Sequence, residues 1–200
     1  AEWVAGQLAS ALGLPVADCA LAEVPEQLVA AKVRSDMGDL GAGLVFASRK
    51  HPNAQELTPT TRERVPAILA MDVLVFDWWV HNEDRHLTEF GGNPNLLWDV
   101  GGDELVVIDH NQAFDPDFNP ERFLSTHVFA DHWNAVFSDH DLRTKYKERM
   151  EKALERLPAV RASIPDSWWW AGEGVLAKVS WERIAECLAR CRREDFWDLP

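Results

Sequence analysis

The sequence is poor in cysteine, in basic residues and in long apolar runs. It has three cysteines, an odd number, and no secretory signal, which favours reduced thiols in the cytoplasm. Its one long apolar stretch, residues 65–80, contains Asp72 and Asp77 and is shorter than a membrane-spanning helix. We therefore expect a soluble cytoplasmic protein without a disulfide framework or a membrane span.

Acidic residues outnumber basic ones by 33 to 20, which gives a net charge of −13. A phosphate backbone repels such a surface, so the composition argues against direct nucleic-acid binding. A nucleotide site on this chain therefore needs local help from a divalent metal, from Lys or Arg, or from backbone N–H groups.

A length of 200 residues indicates one domain, or one lobe of a larger one. The chain begins at Ala1 without a Met, and the apolar residues of the first segment already follow a helical stripe. We interpret this beginning as a sign that residues precede Ala1.

The first third of the chain alternates short elements. After the first helix, which Gly13 and Pro15 end, the pattern predicts a strand within 16–24, a short helix within 25–33 and a short strand at 44–46. Residues 51–59 are predicted to be a loop. Thr60 and Glu63 have the spacing of a capping box, and a mostly buried helix is predicted from there to Val80.

The middle of the chain changes character after Val80. Residues 81–93 are polar and are predicted to form a loop. Two short apolar runs, 95–98 and 105–108, then flank a Gly-Gly-Asp turn and predict a β-hairpin. Further helices are predicted near 120–137, 139–157 and 180–193, with Ser138 or Asp139 as the cap of the second.

Two aspartates lie on either side of this hairpin. Asp84 is in the polar loop before it, and Asp109 ends its second strand. Phosphoryl transfer uses one carboxylate to orient the attacking hydroxyl, and a second carboxylate with an amide oxygen to hold Mg²⁺ against the phosphates. Mg²⁺ prefers hard oxygen ligands, which Asp and Asn supply. The order of these parts therefore indicates a phosphoryl-transfer site.

Three motifs surround these aspartates: residues 82–86 read Asn-Glu-Asp-Arg-His, residues 93–98 read Asn-Pro-Asn-Leu-Leu-Trp, and residues 107–110 read Val-Ile-Asp-His. This segment resembles the HipA-like kinases, whose fold is that of protein kinases and phosphatidylinositol kinases. Weaker likeness extends to residues 2–5 and 12–16 near the start and to residues 164–168. The resemblance therefore touches most of the chain.

The resemblance implies roles for four residues. Asp84 would be the catalytic Asp, Asp109 the metal Asp, Asn93 the metal Asn, and Glu2 the first-helix Glu that pairs with a nucleotide-binding Lys. ATP and Mg²⁺ are the implied ligands. The implied fold is mainly α (α+β): residues 1–200 would form mostly the C-terminal lobe of a protein-kinase-like domain, with a small β-hairpin at the cleft.

Two features depart from the family pattern. In the usual kinase spacing the metal Asn lies five residues after the catalytic Asp, and that position is Glu89, a candidate metal ligand itself. Alignment on Asn93 instead makes the loop four residues longer. The chain also has no glycine-rich phosphate loop and no strand Lys before the first helix, so the nucleotide lobe would precede Ala1.

The function that these features predict is ATP-dependent phosphoryl transfer to a Ser or Thr hydroxyl of an unidentified protein substrate. One alternative is a pseudokinase or partner-binding module, which Glu89 at the Asn position favours. Another is a metal-dependent phosphohydrolase that uses His81, His86, Asp109 and His110. A non-functional alternative is that Asp84 and Arg85 belong to a surface ion pair. The family includes toxins of toxin–antitoxin systems, and this sequence does not decide whether the chain is one.

Overall fold

The computed structural model of the protein describes residues 1–34, 41–88, 91–172 and 174–198. In chain order its α-helices are α1 (Glu2–Ala11), α2 (Glu26–Ala30), α3 (Pro59–Arg62), α4 (Ala67–Val80), α5 (Pro120–Thr126), α6 (Trp133–Phe137), α7 (His140–Leu154), α8 (Leu157–Ala162) and α9 (Trp181–Ala189). Its strands are β1 (Cys19–Val24), β2 (Gly43–Ser48), β3 (Ala54–Glu56), β4 (His86–Thr88), β5 (Gly91–Asn93), β6 (Leu96–Asp99), β7 (Glu104–Val107), β8 (Trp170–Gly172) and β9 (Val175–Leu176). Short 3₁₀ helices cover Ala130–His132, Asp166–Trp169, Arg190–Arg192 and Glu194–Trp197. The fold is mixed, with more helix than strand, as the α+β expectation requires.

The chain divides into two compact units. The smaller unit, Ala17–His51, contains β1, α2 and β2. Its two strands pair antiparallel from Cys19 opposite Ser48 to Val24 opposite Gly43. Both predicted strands are therefore confirmed; β1 lies within the predicted range 16–24, and β2 is longer than the predicted 44–46. The larger unit combines Ala1–Val16 with Pro52–Pro200 and contains all the predicted site residues.

Helix α4 is the most buried element of the larger unit. Every residue from Val73 to Val80 is buried, because this helix contacts α6, α9 and the 3₁₀ helix at Ala130–His132. Helix α1 buries one face, through Val4, Ala5 and Leu8, and contacts α7 and α8. The segment predicted to form the core therefore does so.

The predicted start of the core helix is wrong, whereas its end at Val80 is confirmed. The capping box is formed by Thr58 and Thr61, which begin the short helix α3. Pro66 then separates α3 from α4 and is the N-cap of α4. Proline lacks an N–H donor and disfavours helical backbone in the residue before it, which explains the break. At the other end His81 adopts a left-handed conformation, with φ 54°.

The predicted hairpin is confirmed and belongs to a larger sheet. Strands β6 and β7 pair antiparallel, with Leu96 opposite Val107 and Asp99 opposite Glu104. Strand β3 adds to the other edge of β6, with Ala54 opposite Asp99. The prediction of a plain loop at 51–59 is therefore wrong, because this strand gains its hydrogen bonds from a segment more than forty residues away.

A second hairpin lies in the segment predicted to be a polar loop. Strands β4 and β5 pair antiparallel, with His86 opposite Asn93 and Thr88 opposite Gly91. A Cβ atom on Gly92 would lie 2.4 Å from the backbone oxygen of His86, so the strands approach closely only because residue 92 is glycine. Gly91 has φ 108°, a conformation that glycine adopts without strain.

The helix predicted at 120–137 is interrupted. Helix α5 ends before His127, whose backbone pairs antiparallel with that of His86, while the N–H of Val128 donates to the oxygen of Arg85. The pairing of this segment with the loop after α4 therefore replaces helical hydrogen bonds. Asp139, one of the two predicted caps, begins α7 by accepting two backbone N–H groups. Within the described ranges, no helix combines the length and apolar character that crossing a bilayer requires.

Candidate active site

Asp84 lies in the loop between α4 and β4, and two asparagines bind it. Nδ2 of Asn93 donates to Oδ2 of Asp84 at 2.9 Å. Nδ2 of Asn95 donates to the backbone oxygen of Asp84 at 2.8 Å and to its Oδ2 at 3.2 Å. The carboxylate is therefore held in one orientation by amide donors from the last residue of β5 and from the segment that follows it.

The β4–β5 hairpin explains how Asn93 reaches Asp84. The loop is longer than the kinase spacing, but its two strands pair so that Asn93 lies opposite His86, two residues after Asp84. The antiparallel pairing thus brings Asn93 back close to Asp84 in spite of the longer loop. This hydrogen bond uses Nδ2 of Asn93, so it does not occupy the amide oxygen, which is the atom that can bind a cation.

Asp109 follows strand β7 after Ile108 and adopts a left-handed backbone conformation, with φ 56°. Its Oδ1 accepts the N–H of Asn111 at 3.2 Å. The next N–H, that of His110, donates to a carboxylate oxygen of Glu2. Glu2 at the start of α1 therefore binds the backbone immediately after Asp109, and the other carboxylate oxygen lies 3.5 Å from Nδ1 of His110.

The reading of Asp84 and Arg85 as a surface ion pair is wrong. The side chain of Arg85 is fully buried and pairs with a different acid, since its Nε donates to Oδ2 of Asp77 at 2.7 Å. Its Nη1 donates to the backbone oxygens of Asn95 and Ile108, the latter at 3.2 Å. The residue after Asp84 thus links the segment of the two asparagines to the one that precedes Asp109.

Asp77, the buried acid of α4, completes this arrangement. Its Oδ1 accepts Nδ2 of Asn82 at 2.9 Å, and Nε2 of His127 lies 3.0 Å from its Oδ2. Burial opposes ionisation of the carboxyl group, but Arg85 and His127 outweigh it and hold the pKa of Asp77 well below its usual range. A buried carboxylate and a buried guanidinium therefore stabilise each other beneath the loop of Asp84.

The phosphohydrolase alternative requires four side chains to converge: His81, His86, Asp109 and His110. His81 stacks on Phe118, and its Nδ1 lies 3.2 Å from Nη2 of Arg183. Burial, then Arg190 and Arg183, lower the pKa of His81 to about 3, and a ring facing two guanidinium groups is a poor site for a metal cation. Across the described ranges, no three His, Cys, Asp or Glu side chains form a metal-binding group. The structure therefore argues against this alternative.

An open cleft of about 310 Å³ lies beside Asp84. Its lining is polar and consists of Glu83, Asp84, His86, Gln112, Asp115, Arg122 and Thr126. Glu83 forms a two-point ion pair with Arg122, in which one hydrogen bond is 2.8 Å. Two larger cavities, of about 590 and 560 Å³, lie around Trp181 and contain none of the predicted site residues, so size alone does not identify the site.

The chemistry of the predicted ligands suits magnesium. Asp109 carries a carboxylate and Asn93 carries an amide oxygen, which are hard ligands of the kind Mg²⁺ prefers. Glu89, the other predicted ligand, lies outside the described residues. The donor set therefore fits the metal that the family resemblance implies.

Sequence reasoning missed the positions of Arg85, Asn95 and His127 in this site. One signal was available: Asp77 interrupts an apolar helix, and a buried charge needs a partner close by. Asn95 lies directly before strand β6, and its side chain binds the backbone oxygen of Asp84. His127 carried no signal, because it lies fifty residues from Asp77.

Comparison with known proteins supports the interpretation drawn from the motifs. A family model described as HipA-like kinase matches residues 1–200, which is the whole chain. A search of curated proteins gave no match. Because the family model covers every residue from the first-helix Glu2 to the segment after α9, the chain belongs to the HipA-like kinase family.

Proposed function

We propose that this chain is mostly the C-terminal lobe of a protein-kinase-like domain that transfers the γ-phosphoryl group of ATP to a Ser or Thr hydroxyl in the cytoplasm. The observation that carries the proposal is the pair of amide donors, from Asn93 and Asn95, that fix the carboxylate of Asp84. Family membership supports a kinase-type activity.

Asp84 is the proposed catalytic residue. Its carboxylate borders an open cleft, so an acceptor hydroxyl has access to it. A carboxylate at this point orients the hydroxyl and accepts its proton as the phosphoryl group is transferred. The amide groups of Asn93 and Asn95 keep it in one orientation, which reduces the entropy lost when the acceptor binds.

Asn93 and Asp109 are the proposed magnesium ligands. Bound Mg²⁺ would supply positive charge that neutralises the phosphates of ATP. This chain has a net charge of −13, so it benefits from such a cation. Glu2 binds the N–H of His110 and so restrains the residue after Asp109. In the proposal Glu2 also pairs with the nucleotide-binding Lys of the other lobe.

The experiment uses a protein that carries both lobes of the kinase domain, and it compares Asp84→Asn with a matched change, Asp103→Asn. Asp103 is an exposed turn residue that pairs with Arg64, so its substitution is a neutral control of the same chemistry. The measurement is transfer of label from γ-labelled ATP, with Mg²⁺, to the chain itself and to a mixture of Ser/Thr peptides. Asp84→Asn is expected to lower the rate by about a hundredfold or more, and Asp103→Asn is expected to leave it unchanged.

Binding of ATP with Mn²⁺ is measured separately in both variants and in the wild type. Binding without transfer in the wild type would favour the pseudokinase alternative. Transfer that survives in Asp84→Asn at the wild-type rate would contradict the role of Asp84, and absence of nucleotide binding would contradict the proposed function as a whole.

A further inference from the structure

One buried guanidinium contacts both segments that carry the proposed magnesium ligands Asn93 and Asp109. Nη1 of Arg85 donates to the backbone oxygens of Pro94, at 3.3 Å, of Asn95, and of Ile108, at 3.2 Å. The side chain has no exposed surface. Three carbonyl groups from two separate stretches of chain therefore converge on one donor atom.

These carbonyls are next to the proposed ligands. Pro94 follows Asn93, and Ile108 precedes Asp109. Arg85 itself follows Asp84, and its backbone oxygen accepts the N–H of Val128. The three residues proposed for chemistry are thus each one peptide bond from an atom of Arg85 or from a carbonyl that Arg85 binds.

The contact that Nε of Arg85 makes fixes the direction of the guanidinium group. Nε donates to Asp77, and Asp77 is held by Asn82 and His127, so the planar group cannot rotate without breaking a buried ion pair. Arginine presents several N–H donors in a rigid plane, whereas the ammonium of lysine is a single point of charge. A lysine at position 85 cannot contact Asp77 and the carbonyls of Asn95 and Ile108 with the same geometry.

We propose that Arg85 is a positioning residue: it sets the placement of Asn93 and Asp109 relative to Asp84 by binding the backbone next to both. Its importance for the reaction rests on the proposed function, but its effect on the placement of these segments does not. A partner that orients a metal ligand is worth about tenfold to a hundredfold in metal affinity in known sites.

The test compares Arg85→Lys with Arg149→Lys. Arg149 is a matched control, because it also binds an aspartate of α4, Asp72, and a backbone carbonyl, that of Leu12, but lies away from the proposed site. Two quantities are measured in a protein that carries both lobes of the kinase domain: the Kd for Mn²⁺ in the presence of ATP, and hydrogen exchange of the backbone amides in residues 91–110.

Arg85→Lys is expected to raise the Kd for Mn²⁺ by about tenfold or more and to speed amide exchange in residues 91–110 by a similar factor, while Arg149→Lys changes neither. Equal effects of the two variants would overturn the proposal, since they would reflect a general loss of stability. Wild-type values of both quantities in Arg85→Lys would overturn it as well.

Two further outcomes are distinguishable. If the wild type binds no Mn²⁺–ATP, the proposed function fails, and the exchange measurement still decides whether Arg85 places the segments. If Arg85→Lys does not fold, Asp77→Asn takes its place, with Asp72→Asn as control. Asp77→Asn keeps the size of the side chain and removes the charge that orients Arg85, so it is expected to speed the same amides, and unchanged exchange would overturn the proposal.

Discussion

Helix α4 carries two aspartates, Asp72 and Asp77, and each binds an arginine, but the two ion pairs lie in different surroundings. The side chains of Asp72 and Arg149 are 15% and 38% exposed, and Tyr146 donates to the same carboxylate. The side chains of Asp77 and Arg85 are both 0% exposed. Two ion pairs that start five residues apart on one helix therefore differ in their access to water. We call the partly exposed Asp72–Arg149 pair the half-solvated pair and the fully buried Asp77–Arg85 pair the dry pair.

The two ion pairs also connect different kinds of structural element. Asp72 joins α4 to α7, two helices that their own backbone hydrogen bonds and buried faces already define. Asp77 joins α4 to loops, which have few backbone hydrogen bonds of their own. A buried ion pair contributes little net stability compared with apolar packing, but breaking one is costly. The difference teaches that the dry pair fixes the conformation of the loops around Asp84 more than it adds stability.

The largest expected effect comes from replacing the arginine of each ion pair by an uncharged residue. Arg85→Met leaves the carboxylate of Asp77 buried beside His127 alone, and it is expected to lower the free energy of unfolding by about 3–5 kcal/mol. Arg149→Met leaves Asp72 with access to water and with Tyr146, and is expected to cost about 1 kcal/mol. Urea unfolding followed by tryptophan fluorescence measures both. Equal losses would contradict the distinction between the two pairs.

A second effect separates the pairs by pH, because a histidine belongs only to the Asp77 pair. Nδ1 of His127 accepts the N–H of Phe129, so Nε2 carries the proton and donates to Asp77. Burial lowers the pKa of His127 more than the Asp77 carboxylate raises it. The unfolded chain therefore takes up a proton below about pH 6.5 that the folded chain does not, and stability falls as the pH decreases from there.

His127→Gln removes this proton uptake. Its melting temperature is expected to fall less steeply between pH 6.5 and 5 than that of the wild type, whose free energy of unfolding loses up to about 1.4 kcal/mol per pH unit through one such group. His81 contributes in the same direction in both proteins, since its pKa is about 3, so it does not affect the difference. His140→Gln, on the surface of α7, is the control, and a profile of His127→Gln parallel to the wild type would contradict the assignment.

The sequence predicted the parts of this site that depend on local pattern. The β6–β7 hairpin follows from two apolar runs around a glycine turn, and the end of α4 follows from the loss of apolar residues after Val80. Asp139 and its predicted helix follow from the preference for Asp at N-caps. These features use hydrogen bonds between near neighbours in the chain.

The parts that escaped prediction use partners far apart in the chain. Strand β3 is three residues long and exists because β6 pairs with it. Gly91 and Gly92 lie in strand β5, opposite Thr88 and Leu87, whereas the polar character of residues 81–93 predicts a loop. The choice of Asp77 over Asp84 as the partner of Arg85 depends on α4 and the loop packing together, which no local pattern reveals.

The smallest expected effect tests the half-solvated pair through the one tyrosine of the chain. Burial raises the pKa of Tyr146, and the nearby Asp72 carboxylate raises it further, since a second negative charge beside Asp72 is disfavoured. Asp72→Asn is therefore expected to move the pKa of Tyr146 down towards the ordinary value near 10, while Asp77→Asn leaves it in place. Ultraviolet absorbance of tyrosinate follows this residue alone, within the pH range where tryptophan fluorescence stays native. A pKa of Tyr146 that moves in Asp77→Asn as much as in Asp72→Asn would mean that the two aspartates are electrostatically coupled along α4, and the comparison between separate pairs would then fail.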